Sequence, residues 1–255
     1  MRILYLANNR LGLEVLKWLR GQREVIAGLV VHPPDRRKFT EEIVAASGLK
    51  NTAIFDASAL RQAGIRERIR NLEPDLGVCV LFGYVLERAF LDAMPCRFVN
   101  LHPALLPHNR GAYPNVWSIV DRTPAGVTLH FVDEGVDTGD IIAQQEVPIL
   151  APDTGEILYH RLEQAAFDLF RQTWPLLRAG REPRIPQDPA AGSSHRARDV
   201  AAIDEIDPAR SYQAGKLIDI LRARTFPPHT GAFFRADGKK IYIRIDLQAE
   251  DEAPE

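Results

Sequence analysis

The chain has 255 residues, 45% hydrophobic and 26% charged, with a formal net charge of −2, enough apolar content for one large domain and a small appendage. No basic stripe dominates any segment and no run approaches the ~20 apolar residues of a membrane span, so a nucleic-acid partner and a membrane-embedded chain are both disfavoured. Two cysteines, Cys79 and Cys96, lie in apolar stretches without Cys-x-x-Cys spacing, and the seven histidines show no ligand spacing, so no disulfide framework and no metal are expected.

Apolar runs suited to buried parallel strands recur at 2–7, 25–31, 52–55, 76–82 and 97–101, separated by helical patterns near 11–20, 40–47, 58–71 and 86–93. The first strand begins at Arg2 with no leader ahead of it, and a cytoplasmic protein is expected. The alternation predicts an α/β fold, an open, mostly parallel, Rossmann-like sheet with helices on both faces. The turn Asn8–Gly12 lacks Gly-x-Gly-x-x-Gly, which argues against a dinucleotide site. Two further strands are expected over 126–132 and 141–149, then a long helix from about Thr154 to Ala179 with an acidic first turn. Residues 181–198, with three prolines between 180 and 195, read as a surface linker, so 1–180 and 199–247 are expected as separate parts. The second part predicts a helix near 212–223 and a hairpin over 231–245 turning at Asp237-Gly238. Phe233, Ile241, Ile243 and Ile245 are expected on one apolar face of that hairpin, and the acidic tail 248–255 is expected to fray.

Chemistry concentrates at the end of the fifth strand. Asn100 and His102 are two residues apart, and residues i and i+2 of a strand share a face, so an amide and an imidazole project together. In an open α/β sheet ligands bind beyond the carboxyl ends of the strands, where Asn100–Pro103 falls. A downstream carboxylate in Asp133–Asp140 completes a set able to stabilise an oxyanion and to move protons in acyl transfer.

The blocks Phe98–Pro107, Arg110-Gly111, Gly126–Phe131 and Val136–Ile142, in that order, resemble the folate-dependent formyltransferases, a resemblance spanning roughly residues 1–245. The family moves a formyl group from 10-formyltetrahydrofolate to an amine, and the resemblance implies Asn100, His102 and Asp137 as catalytic, with Asp133 and Asp140 off the matching position. It further implies a pterin cleft formed by Phe82, Gly83, Tyr84, Val85 and Leu86 together with Asp133, Val136, Thr138 and Gly139.

The loop from Leu105 to Trp117, with His-Asn-Arg-Gly-Ala-Tyr-Pro-Asn-Val-Trp at its end, is similar to that of the sugar N-formyltransferases, whereas methionyl-tRNA formyltransferases carry an Arg-x-Arg-Gly-Ala-Ala-Pro form. The resemblance therefore points to a nucleotide-linked amino sugar, a dTDP-linked 4-amino-4,6-dideoxyhexose being the expected acceptor. A diphosphate and a base call for cations and an aromatic face, for which Asn9, Arg10, Arg110, Tyr113, Lys216, Arg224 and Phe226 are the candidates. A methionyl-tRNA formyltransferase is the alternative enzyme, disfavoured by an acidic end some fifty residues short of that family's usual length. A non-catalytic dimeric module that kept the fold is the alternative of another class. The hairpin leaves apolar surface uncovered, so a homodimer through this region is expected.

Overall fold

A computed structural model describes residues 1–188 and 190–250; the expected frayed tail lies in part outside the described residues, at 251–255. Seven strands form the main sheet: β1 (Arg2–Ala7), β2 (Val25–Val31), β3 (Ile54–Asp56), β4 (Leu76–Val80), β5 (Arg97–His102), β7 (Gly126–Phe131) and β8 (Ile141–Glu146), in the order β3-β2-β1-β4-β5-β7-β8. β1 to β5 run parallel to one another, and β7 is antiparallel to β5. The order reverses between β1 and β4, so the loops leaving these strands, Asn8–Arg10 and Leu81–Gly83, flank a topological switch point.

Continuous apolar sequence explains the sheet's centre. Ile3 to Ala7 are fully buried, as parallel strands covered on both faces require. Helix α1 (Asn9–Gly21) buries Leu11, Val15, Leu16 and Leu19 along one stripe. A Cβ on Gly12 would fall 2.9 Å from that of Ala7, so glycine lets the helix close on β1, where the Tyr5 hydroxyl donates to the Gly12 carbonyl at 2.7 Å. The remaining helices are α2 (Thr40–Ser47), α3 (Ala63–Arg70), α4 (Arg88–Leu91), α5 (Pro114–Val120), α6 (Gly155–Ala179), α7 (Ala201–Asp204) and α8 (Ala214–Ala223).

By contacts the chain divides into two compact units, each drawn from three stretches: Met1–His102, Thr128–Gln144 and Ala166–Pro189; and Pro103–Val127, Gln145–Ala165 and Ala190–Glu255. The segment expected as a linker is distributed between them. In the first unit Ile185 exchanges backbone hydrogen bonds with Ile141 at 2.8 and 3.0 Å. In the second, β9 (Ser194–His195) pairs in parallel with β6 (Arg110–Gly111).

The expected hairpin forms from β10 (Phe233–Ala236) and β11 (Lys239–Tyr242), with Asp237 and Gly238 both at positive φ as a tight two-residue turn demands. Its register corrects one expectation. Phe233 opposes Tyr242, whereas Ile241 opposes Phe234, so Phe233 and Ile241 occupy opposite faces. Phe233 is buried and Ile241 is 42% exposed.

Candidate active site

β5 carries Asn100 and His102 on one face, and antiparallel pairing sets His130 of β7 directly opposite Asn100. The loop from β7 to β8 returns Asp137 to the same face. His102 Nδ1 lies 3.6 Å from one Asp137 carboxylate oxygen, and the other accepts from the Asn100 amide at 3.2 Å and lies 3.5 Å from His130 Nε2. His102 and His130 are buried, and Asp137 is 13% exposed at its side chain. The three residues implied as catalytic thus converge, and a fourth, His130, joins them.

The hydrogen bonds of His130 define its state. Its Nδ1 is 2.8 Å from the Phe131 carbonyl, which only accepts, so Nδ1 carries a proton. In the neutral ring Nε2 is then the acceptor for the Asn100 amide at 3.1 Å. Both amide protons of Asn100 are therefore engaged, one by His130 and one by Asp137. Donation from Asn100 to an oxyanion requires the bond to Asp137 to yield.

Asp137 adopts a left-handed backbone with φ of 54°, costly for a residue with a Cβ and tolerated where the surroundings over-determine it. Asp133 shapes the same loop by accepting from the Gly135 amide at 3.0 Å and the Thr138 hydroxyl at 2.7 Å. Gly139 approaches so closely that a Cβ would overlap the Phe131 carbonyl oxygen. From the segment expected as a linker, Gln187 donates to the Asp137 carbonyl at 2.9 Å and the Gly139 carbonyl at 2.7 Å.

A cavity of about 300 Å³ beside this loop is lined by Leu91, Phe98, Phe131 and Val132 together with Asp133, Gly139 and Arg184. Among residues implied for the pterin, Asp133 and Gly139 line it. Phe82, Tyr84 and Leu86 instead pack against the apolar core, while Gly83, Val85, Val136 and Thr138 are exposed. Phe82 and Tyr84 also meet the edge of His32, with ring centres 5.2 and 5.1 Å away. His32, buried at the end of β2, faces the Asn8 amide through Nδ1 at 3.1 Å and the Gly83 amide through Nε2 at 3.3 Å. Burial holds its pKa below the ordinary imidazole value.

The acceptor candidates are scattered. Asn9 and Arg10 open α1 at the switch point, Asn9 at φ of 65° with its amide donating to the Lys38 carbonyl at 3.1 Å. In the second unit Arg110 is buried in β6, and Tyr113, at φ of 56°, precedes α5 with 46% of its surface exposed. Lys216 is exposed on α8. Arg224 grips Asp204 through two nitrogens, an ion pair within the unit's own framework. Phe226 stands in an aromatic group with Tyr159, at 5.4 Å, and His229, at 5.4 Å. His130, His32 and Gln187 went unassigned in sequence. The signal for His130 was the alternation Thr128, His130 in β7, which acquires meaning only once β7 is known to pair with β5.

An open α/β sheet with amide, imidazoles and carboxylate clustered at its strand ends defines an enzyme for acyl transfer. Residues 21–173 match the formyl transferase family model, and residues 199–249 match the N-formyltransferase dimerization C-terminal domain. The chain is 35% identical to the methionyl-tRNA formyltransferase of Syntrophus aciditrophicus over 99% of its length and 81% of that protein's. It is similar to the crystal structure of a 4-N formyltransferase from Francisella tularensis, with a TM-score of 0.84 and 25% identity over 98% of each chain. It also resembles the formyltransferase PseJ of Anoxybacillus kamchatkensis, solved with UDP-4,6-dideoxy-4-formamido-L-AltNAc and tetrahydrofolate. That match has 31% identity and a TM-score of 0.58 over 79% of this chain and 89% of that one. The chain belongs to the formyltransferase family. It is a folate-dependent N-formyltransferase.

Proposed function

We propose that the protein formylates the amine of a nucleotide-linked 4-amino-4,6-dideoxyhexose, with dTDP as the expected nucleotide, from 10-formyltetrahydrofolate, and that Asn100, His102 and Asp137 carry the chemistry. The observation that carries the acceptor half is the loop after His102, where buried Arg110 offers a cation and exposed Tyr113 offers an aromatic face for a sugar. The 98% mutual coverage with a 4-N formyltransferase supports the same reading. The 35% identity to a methionyl-tRNA formyltransferase supports a second one, with the initiator tRNA as acceptor.

The donor, when bound, supplies an activated formyl carbonyl. Phe98, Phe131 and Val132 would hold its flat ring by apolar contact, and Asp133 and Gly139 by polar groups at the cavity wall. As the amine adds, negative charge builds on the formyl oxygen. His102, with Nδ1 turned to Asp137, donates to that oxygen through Nε2, and Asn100 donates after releasing Asp137. Asp137 so released stabilises the charged imidazole and can receive the proton shed by the amine, while His102 can give its proton to the nitrogen that loses the formyl group as that C–N bond breaks. The protein is read as a cytoplasmic homodimer, the dimer supported by the match of residues 199–249 to a dimerization domain. Among the described residues no helix is long and apolar enough to cross a membrane.

Incubation with 10-formyltetrahydrofolate and a panel of amino-sugar nucleotides, glycinamide ribonucleotide and charged initiator tRNA, followed by mass for the gain of one formyl group, separates these acceptors. A formylated 4-amino sugar nucleotide is expected, and transfer to tRNA alone overturns the choice. Asn100→Ala and His102→Ala should each lower kcat by ~10²–10³-fold, and near-normal turnover in either would refute its role.

A further inference from the structure

We propose that Gln187 is the positioning residue of the Asp137 carboxylate, an inference that rests on the catalytic reading of Asp137 given above. An amide nitrogen has two protons to give, and the geometry spends both of them on one loop. Gln187 Nε2 donates to the Asp137 carbonyl at 2.9 Å and to the Gly139 carbonyl at 2.7 Å, clipping residues i and i+2 together across Thr138. The clip fixes the peptide plane that follows Asp137. With φ at 54°, that plane sets where the Asp137 side chain points.

The loop needs an external brace. Glu134, Val136 and Thr138 are exposed, and the contacts supplied by Asp133, to the Gly135 amide and the Thr138 hydroxyl, hold the turn's shape without reaching the Asp137 backbone. A left-handed conformation is unfavourable for a residue with a Cβ, so an unbraced loop would drift to the ordinary helical or extended regions and carry the carboxylate away from His102. Gln187 is in turn anchored to the first unit by the residues that precede it. Two residues before it, Ile185 is locked to Ile141 by paired backbone hydrogen bonds, and Arg184 lies 3.7 Å over the Phe131 ring and 3.3 Å from Asp140. Further back, Glu182 pairs with Arg97 at the start of β5. The segment is thus tied to both strands that supply the site, β5 through Arg97 and β7 through Phe131.

The test is steady-state and single-turnover kinetics of Gln187→Ala and of the isosteric Gln187→Glu, which has no proton to donate to either carbonyl, with amide exchange over 133–140 and thermal melting as companions. Misplacement of a reacting group by about an ångström costs up to ~10²-fold, so kcat should fall by about 10- to 100-fold in both variants. KM for the folate and for the acceptor should stay within about threefold, active-site concentration should stay unchanged, and exchange at Thr138 and Gly139 should quicken. Unchanged kcat, unchanged loop exchange, or a loss of activity that tracks a loss of folded protein would each overturn the proposal. Asp137→Asn separates the two readings: if it retains full turnover, the catalytic role of Asp137 fails, whereas full turnover in the Gln187 variants alone leaves that role standing.

Discussion

Asn100 is readable from sequence as a donor, yet its orientation is decided by a residue thirty positions away. His130 offers Nε2 to the Asn100 amide, and the Phe131 carbonyl keeps the proton on Nδ1. His130→Leu, close in volume but unable to accept, should free the Asn100 amide to rotate. One lost orienting hydrogen bond of about 1 kcal/mol predicts a roughly fivefold fall in kcat with little change in folate KM. Kinetics of the purified variant check this, and wild-type kcat would show that His130 is only packing. His32 belongs to the same scale. Asn8 accepts from the Lys38 amide at 2.8 Å, which turns its amino group toward the Arg36 carbonyl and His32 Nδ1. Burial, the largest cause, holds the His32 pKa below the ordinary imidazole value, against the Arg36 carbonyl, which favours the charged ring. A histidine with a depressed folded pKa costs stability once the unfolded chain binds the proton more readily. His32 therefore leaves stability intact above pH ~6.5 and erodes it as pH falls below that value toward the folded pKa. His32→Gln should lose less melting temperature between pH 7.5 and 5 than the wild type does, and an equal or larger loss contradicts the account.

Short elements hold the loop after His102, and they were the least legible in sequence. Asn109 is fully buried, donating to the Ser118 and Thr123 hydroxyls at 3.0 and 2.8 Å, while its backbone amide donates to the Ser193 hydroxyl at 3.0 Å. The Arg110 and Ala112 amides donate to the Ser193 and His195 carbonyls at 3.0 and 2.9 Å, and the His195 ring stacks flat on Trp117 at 4.1 Å. Gly192, at φ of 87°, lies where a Cβ would overlap the Pro107 carbonyl oxygen. Gly192→Ala should therefore lower unfolding free energy by about 1–3 kcal/mol through backbone strain and speed amide exchange at Arg110 and Ala112. Denaturant titration and exchange read both effects, and an unchanged midpoint with unchanged exchange would refute the role given to Gly192. Composition reads 181–198 as a linker because its partners lie 84 residues away in sequence for Ser193 and 50 for Gln187, beyond any local pattern. The sheet was legible for the opposite reason. Strands buried on both faces leave continuous apolar runs, and a two-residue turn leaves Asp-Gly. Helix α3 begins at Ala63 rather than near 58 because Asp56 accepts from the Ser58 amide at 2.8 Å and closes a short turn first. The motif made Asn100, His102 and Asp137 legible, whereas His130 and Gln187 needed the pairing of distant segments.

At the scale of the whole molecule, the carboxy-terminal residues form a small cluster with surface to spare. Ile206, Ile220 and Ala232 make its core, with Tyr212, Leu217, Leu221 and Ile243 packed around them. β10 is engaged along both edges, by β11 on one side and by the bridge from Glu205 to Phe233 on the other, so the open edge of the hairpin belongs to β11. All four residues of β11 are exposed, including Ile241 at 42% and Tyr242 at 47%. An exposed edge with apolar side chains invites pairing, and Lys239 and Lys240 on the same strand restrict it to a complementary surface. Residues 199–249 match a dimerization domain, which makes a second copy of this chain the expected partner. A stable dimer buries about 1,600 Å² in all, more than one strand supplies, so an interface through the hairpin would need neighbouring surface as well, and charges introduced at its centre should break the assembly. Light scattering on the purified chain at micromolar concentration should give twice the chain mass, and Ile241→Asp together with Tyr242→Asp should give the chain mass with folding retained, since both side chains are exposed. A wild-type monomer, or a double variant that still dimerises, removes the hairpin from the interface.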